Sequence, residues 1–388
     1  MKPFLTDDER RQLIEWRRDF HAHPELGYKE TRTAGTVARH LKACGYQVTT
    51  GVAETGVVGL LQGSGTGRTV MLRADMDCLP VQEENQVPYR SQNEGLMHAC
   101  GHDGHTAVLM TTATRLAQQR ENFHGNIKLV FQPAEEGGNG ADRMVHEGVL
   151  TNPHVDTAFG LHVWTSLPVG KVALNPGPLM AGVHSFEVTV IGKGGHGAAP
   201  HQTIDPIVTA AHIITSLQTV VSRNVDPLAT AVVTVGSIHA GAAFNVIADT
   251  ATFSGTVRYF DPNLGDQLPH WIERVIRGAC DSMGARYEWK YDKVTPPTIN
   301  HEKMAEFIRE VSAEVVGEEN VIMNAQTMGG EDMSFFLNEV PGCFFFVGAA
   351  NQERKLTNPH HSPRFDFDES ALEIGVQIFC RAVEKFLS

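Results

Sequence analysis

The densest group of reactive side chains is His98-Ala99-Cys100-Gly101-His102-Asp103-Gly104-His105. Thiolate and imidazole are the usual protein ligands of zinc and related metals. Cys100 and His102 can reach one site from a single loop, and the glycines permit unusual backbone angles. No Cys-x-x-Cys pair accompanies them, so this is not a structural zinc signature. The plain alternative is a helix start with incidental histidines. A second cluster, Phe131-Gln132-Pro133-Ala134-Glu135-Glu136-Gly137-Gly138, places two carboxylates directly after an apolar run. Adjacent side chains point apart, so one could ligate a metal while the other holds a proton; a solvated loop would look similar. His162 in Gly160-Leu161-His162-Val163-Trp164 and His361 in Pro359-His360-His361-Ser362-Pro363 end strands or sit in turns. Alone, each would more often be a satisfied core residue. Asp75 and Asp77 add acidity after the run Val70–Arg73. Cys, His, Glu, His and His together exceed the four ligands of one tetrahedral ion, and two metals sharing a bridging ligand fit better.

The elements that must position these residues read as alternating strands and helices. Thr6-Asp7-Asp8-Glu9 is a capping box opening a helix that stops at Pro24 and Gly27. A second helix spans about Thr31 to Ala43, closed by Gly45. Val57–Leu61 and Thr69–Arg73 read as strands flanking Gly63-Ser64-Gly65-Thr66-Gly67. No Gly-Lys-Ser/Thr follows that loop, so it reads as a hairpin turn rather than a phosphate cradle. Asp103–Gln119 is helical, and Ile127–Phe131 and Thr157–Val163 are strands. This is an α/β pattern: a mainly parallel sheet flanked by helices, with ligands beyond the carboxyl ends of its strands. From about 181 to 293 the order becomes β-α-β-β-α-β, a small α+β domain with an antiparallel sheet. The expected division is therefore a discontinuous first domain, 1–180 plus 294–388, interrupted by a second at 181–293.

Composition narrows the function. The 388 residues carry 32 Lys and Arg against 45 Asp and Glu, a net charge of −13. That argues against general nucleic-acid binding and against docking on anionic membranes. The start of the sequence shows no apolar signal-peptide core. Six cysteines, at 44, 78, 100, 280, 343 and 380, are scattered and read as reduced thiols. A cytoplasmic protein is expected.

In this order the motifs resemble the aminoacylase/carboxypeptidase-type metal-dependent amidohydrolases, and within them the hippurate hydrolases, auxin-conjugate hydrolases and N-acyl-amino-acid amidohydrolases. The resemblance rests on Arg17 to Leu26, Leu72-Arg73-Ala74-Asp75-Met76-Asp77, His98 to Asp103, Phe131 to Gly137 and Gly160-Leu161-His162. It continues through Gly192 to His196, Phe244-Asn245-Val246-Ile247, Gly330-Glu331-Asp332 and His361-Ser362-Pro363. It implies a zinc-peptidase-like catalytic domain with a ferredoxin-like lid and dimerisation domain. It further implies two divalent metal ions per subunit, manganese or zinc before cobalt or nickel. Cys100 would bridge them, with His102, Glu136, His162 and His361 completing the shells. Glu135 would be the general base. His196 would reach the partner subunit's site in a homodimer, while Asn245 and Arg258 grip substrate, Arg258 by its carboxylate. Many relatives carry a ligand histidine where this chain has Arg73, so Asp75 is expected only to support the ligands.

The implied reaction is hydrolysis of an N-acyl-L-amino acid to a carboxylic acid and a free amino acid, by a metal-activated water with Glu135 as base. A metallo-carboxypeptidase or dipeptidase could use the same core. A binding protein that had lost its chemistry would not need this intact residue set, and a Cys100 nucleophile is a weaker rival. His21 and His23 are expected to serve structure, His105 the core or the ligands, and His201 the surface. Glu331 and Asp332 are expected to brace a loop.

Overall fold

The computed structural model describes residues 4–388, and the chain divides into two compact units. The first holds residues up to 179 with 298–326 and 332–388, and the second holds 180–297 with 327–331. The first unit opens with α1 (Asp7–Ala22), α2 (Thr31–Ala43), β1 (Gln47–Val52), β2 (Gly56–Gln62) and β3 (Gly65–Asp75). It continues with α3 (His102–Gln118), β4 (His124–Gln132), β5 (Thr157–Pro168) and β6 (Val172–Ala173). The second unit holds β7 (Gly182–Ile191), β8 (Gly195–His196), α4 (Pro206–Asn224), β9 (Ala231–Ala240) and β10 (Val246–Ile247). Then come β11 (Thr250–Tyr259), α5 (Pro262–Met283) and β12 (Arg286–Thr295). The chain returns to the first unit with α6 (Glu302–Val316), β13 (Val321–Ile322), β14 (Gly342–Ala350) and α7 (Ser370–Phe386).

The capping box forms as read: Glu9 N–H donates to Thr6 Oγ1 at 3.2 Å, and Thr6 N–H to Glu9 Oε2 at 2.8 Å. The first unit is built on an eight-stranded sheet in the order β1-β2-β4-β3-β5-β14-β6-β13. Its centre is parallel: β3 with β4 and β5, and β5 with β14. β14 is buried at every position. An uninterrupted apolar run such as Cys343 to Val347 is what a central parallel strand covered on both faces requires. Helix α3 is buried from His102 to Ala113 because it lies between β3 and the helices α1 and α7.

One expectation fails. The loop 63–67 is not a hairpin, because β4 lies between β2 and β3 and pairs with both, antiparallel to β2 and parallel to β3. The glycines serve a crossing instead. Gly63 N–H donates to Gly125 O and Ser64 N–H to Phe123 O, both at 2.9 Å, where the loop passes the start of β4. A Cβ at Gly67 would stand 2.4 Å from the His124 carbonyl oxygen, too close for any other residue.

The second unit is a four-stranded antiparallel sheet in the order β9-β11-β7-β12, with α4 and α5 packed on one face. β7 alternates strictly, sending Phe186, Val188 and Val190 into a core with Phe253, Val257, Ile213, Leu217, Ile272 and Ile276. Together with its helices this is the ferredoxin-like α+β arrangement expected.

Candidate metal centre

Parallel registry gathers the first unit's chemistry at one sheet edge. Asp75 at the end of β3 pairs with Gln132 at the end of β4, and Arg73 pairs with Gly160 on β5. His162 follows two residues later on β5, opposite Phe346 of β14. Cys100 lies in the turn that opens α3, beside Gly101 at φ +93°. A Cβ on Gly101 would come within 2.4 Å of Val163 Cγ2, so the loop's approach to β5 depends on glycine. The turn after β4 is pinned by two buried carboxylates. Ala134 N–H donates to Glu30 Oε1, and Glu136 N–H to Asp77 Oδ2, each at 2.9 Å.

Five overlapping groups of donor atoms result, three of them being Cys100 with His102 and His162, Cys100 with Glu136 and His361, and His102 with Glu135 and Glu136. Cys100 belongs to two of them. Its Sγ lies 3.5 Å from His162 Nε2. Glu136 Oε1 lies 3.4 Å from His361 Nε2 and 3.9 Å from His102 Nε2. Both His102 Nε2 and Glu136 Oε1 are buried without a hydrogen-bond partner. Such orphaned atoms are costly unless something else engages them. Their chemistry, with a thiol and two further imidazoles, fits divalent ions.

Hydrogen bonds to the opposite ring nitrogens set the tautomers that metal binding needs. His102 Nδ1 donates to the Asp77 carbonyl at 3.0 Å, leaving Nε2 toward Glu136. His162 Nδ1 donates to the Val163 carbonyl at 2.7 Å, leaving Nε2 toward Cys100. His105 Nδ1 meets Asp75 Oδ1 at 2.6 Å while its Nε2 accepts from Val163 N–H at 2.9 Å, so one buried ring anchors the residue whose carbonyl orients His162. Asp75 in turn receives Arg73 Nη1 at 2.8 Å. The buried Arg73 also donates to Gln132 Oε1 at 2.7 Å and to Asp332 Oδ1 at 2.9 Å.

The electrostatics follow. Burial pushes the Cys100 thiol well up, and the nearby Glu136, Glu135 and Asp75 carboxylates add to it. Burial disfavours charge on His102, yet Asp75, Asp77 and Glu136 outweigh it and raise the ring to about 10. The same surplus of negative charge attracts cations, and a cation bound there would hold Cys100 as the thiolate. His162 is pushed well down by burial, with His105 and His360 adding to it, so it is a neutral lone-pair donor.

The first unit thus assembles Cys100, His102, Glu135, Glu136, His162 and His361. The histidine pair near the end separates cleanly: His360 Nε2 donates to the Val163 carbonyl at 2.9 Å and stacks on Trp164, while His361, at φ +66°, faces Glu136. In the sequence the Asp77 carbonyl's role has one signal, a second acid two residues past Asp75 at a strand end. Buried His21 bonds Asp103 and Glu83 at 2.8 and 3.2 Å. His23 Nδ1 caps the Asp19 carbonyl, and His201 is exposed. Asp332 braces Arg73, Gln132 and the Ala141 N–H.

His196, Asn245 and Arg258 lie in the second unit. Exposed His196 pairs with Val246 across β8 and β10, and the Asn245 carbonyl accepts from Gly197 N–H at 2.8 Å, so these two residues are neighbours. His196 Nδ1 accepts from Ala198 N–H at 3.0 Å, which places the ring proton on Nε2. Arg258 stands apart from them on β11, half-buried. No carboxylate of the described residues pairs with its guanidinium, and burial lowers its pKa.

A family model described as peptidase family M20/M25/M40 matches residues 71–385. The chain is 45% identical over 300 residues to an N-acyl-L-amino acid amidohydrolase of Geobacillus stearothermophilus, covering 77% of this chain and 80% of that protein. It is 41% identical over 392 residues to the IAA-amino acid hydrolase ILR1-like 4 of Arabidopsis thaliana, covering 99% and 88%. Among solved structures, the YXEP protein of Bacillus subtilis, a dinuclear metal-binding peptidase, superposes with a TM-score of 0.84 at 34% identity, covering 98% of this chain and 99% of that one.

Proposed function

The chain belongs to peptidase family M20/M25/M40 and is a hydrolase of the amidohydrolase type, and from that premise we propose that it cleaves the amide bond of N-acyl-L-amino acids. The observation that carries this reading is the pair of donor groups sharing Cys100, with orphaned His102 Nε2 and Glu136 Oε1 beside it. Cys100, His102, Glu136, His162 and His361 would hold two divalent ions. Manganese or zinc is the first choice, and the thiolate also suits cobalt or nickel. Ions bound there would polarise the amide carbonyl and bring a water's pKa down to about 7.

Glu135, in one donor group with His102 and Glu136, takes the proton as water oxygen bonds to the carbonyl carbon. It passes that proton to the nitrogen as the C–N bond breaks, releasing a carboxylic acid and an amino acid. His196 Nε2–H donates to the carbonyl oxygen as charge grows there. Arg258 holds the substrate's carboxylate, which its guanidinium without a counter-ion supports, and Asn245, beside His196, also grips the substrate. The same reading makes the enzyme a cytoplasmic homodimer in which His196 serves the partner's site. Six unpaired cysteines support the compartment, and the exposed Ile207, Val208, Ile238, Phe244 and Val246 of the second unit support association.

The test is a panel of N-acyl amino acids, hippurate included, and dipeptides, offered to metal-depleted protein with manganese, zinc, cobalt or nickel restored. Amine release from N-acyl amino acids, only with metal, is expected. Release from dipeptides alone would move the assignment to a peptidase, and no release with any metal would overturn it.

A further inference from the structure

We infer that Thr256 is a positioning residue that presets the Arg258 guanidinium to receive a carboxylate side-on; this rests on the reading that Arg258 binds the substrate's carboxylate. On β11, Ala251, Phe253, Val257 and Tyr259 face the helices, so Thr256 and Arg258 share the opposite face. Arg258 Nη1 folds back along its own strand and donates to Thr256 Oγ1 at 2.6 Å and to the Val257 carbonyl at 3.4 Å. Both protons of one nitrogen are thereby used. The edge that remains, Nε–H with Nη2–H, is the planar fork that matches a carboxylate in a bidentate pair.

The hydroxyl has the right polarity for this task. Thr256 donates its single proton to the His184 carbonyl at 3.2 Å, across the ladder where Val257 pairs with His184. Its oxygen is left to accept from Arg258. The His184 carbonyl is itself held in place. The buried His184 ring lies between Tyr259 OH at 2.7 Å and Tyr291 OH at 2.8 Å, joining β7, β11 and β12 behind the arginine. The contrast with the fully buried arginines is informative. Arg17 pairs with Asp103, Asp366 and Glu369, and Arg73 pairs with Asp75 and Asp332, so each has its charge met. Arg258 is restrained only by neutral oxygens, which fix its orientation without neutralising it. An arginine already held in one rotamer loses less freedom when its ligand arrives.

The experiment compares an N-acyl amino acid with its amide, which has no carboxylate, in wild type, Thr256→Val, Thr256→Ser and Arg258→Met, by steady-state kinetics and by calorimetric Kd in the metal-loaded protein. Thr256→Val should raise KM and Kd for the acid about 5- to 10-fold, the weight of one hydrogen bond. Its kcat should stay within about twofold, the amide should be unaffected, and Thr256→Ser should restore the acid. Arg258→Met should abolish the preference for the acid. If Arg258→Met abolishes it and Thr256→Val leaves it at the wild-type value, the inference fails alone. An equal loss for acid and amide in Thr256→Val would make Thr256 merely structural and also overturn it. A preference that survives Arg258→Met would overturn the reading of Arg258 and the inference with it.

Discussion

Replacing His105 with alanine should weaken metal binding although the residue is not a proposed ligand. The ring lies between Asp75 Oδ1 at 2.6 Å and Val163 N–H at 2.9 Å, and Val163 O is the acceptor that orients His162. Truncation orphans a buried N–H, which costs about 1–3 kcal/mol. Asp75 keeps Arg73 at 2.8 Å, so no buried charge is left alone, and the loss stays below the roughly 3–5 kcal/mol of a broken buried ion pair. With Val163 N–H released, the residue whose carbonyl sets the tautomer and direction of His162 keeps only its bond from His360, and His162 is held less firmly. Loss of such support typically costs 10- to 100-fold in metal affinity, about 1.4–2.7 kcal/mol. Chelator competition measures the affinity, and denaturant unfolding of metal-free protein measures the stability. His105→Gln, whose amide can accept from Val163 and donate to Asp75, should recover most of both. Metal affinity within twofold of wild type in His105→Ala, alongside reduced stability, would show that His105 only fills space and would refute the reasoning.

Three other outcomes are expected. Arg17→Met leaves Asp366 without its cation and Asp103 with His21 alone, and should cost about 3–5 kcal/mol, a fall on the order of 10 °C in the unfolding midpoint; an unchanged midpoint would show the network is dispensable. Gly101→Ala places a Cβ 2.4 Å from Val163 Cγ2 at φ +93° and should reduce bound metal per subunit while circular dichroism stays native; full metal content would contradict the loop's dependence on glycine. Burial pushes His184 down to about 4 from 6.5, with Lys293 adding to it, so between those values the unfolded chain binds the extra proton. The His184 share of stability should therefore fall as pH drops from 6.5 toward 4, by about 3 kcal/mol at most, and His184→Asn should reduce the total slope, to which His98 and His360, also pushed down to about 4, contribute; an identical slope in the variant would remove His184 as one of its sources.

The parts of the fold governed by local rules were legible in the sequence. The Thr6 capping box, α2 and the alternation along β7 each lie within one element, where periodicity and capping decide. The motif loops after β3 and β4 were also placed rightly at the carboxyl ends of strands, because parallel registry brings those ends together, whereas His162, expected at a strand end, lies inside β5, which runs on to Pro168. What escaped depended on partners distant in the chain. The glycines at 63–67 look like a hairpin until β4, some sixty residues on, takes the place between β2 and β3. The bond from Val163 N–H to His105 spans 58 residues and joins a backbone group to a side chain, which composition cannot reveal. Likewise, Arg73 stands out as a departure from a ligand histidine, but its pairing with Asp332 across 259 residues shows only in three dimensions.

Metal content and amine release for Glu135→Gln beside wild type test the proposed reaction most directly. Two divalent ions bound per subunit are expected in both proteins, with turnover in the variant lowered by about 10²–10⁴-fold, the usual worth of a general base. Wild-type turnover by protein stripped of metal, or near-normal turnover by Glu135→Gln carrying both ions, would contradict it.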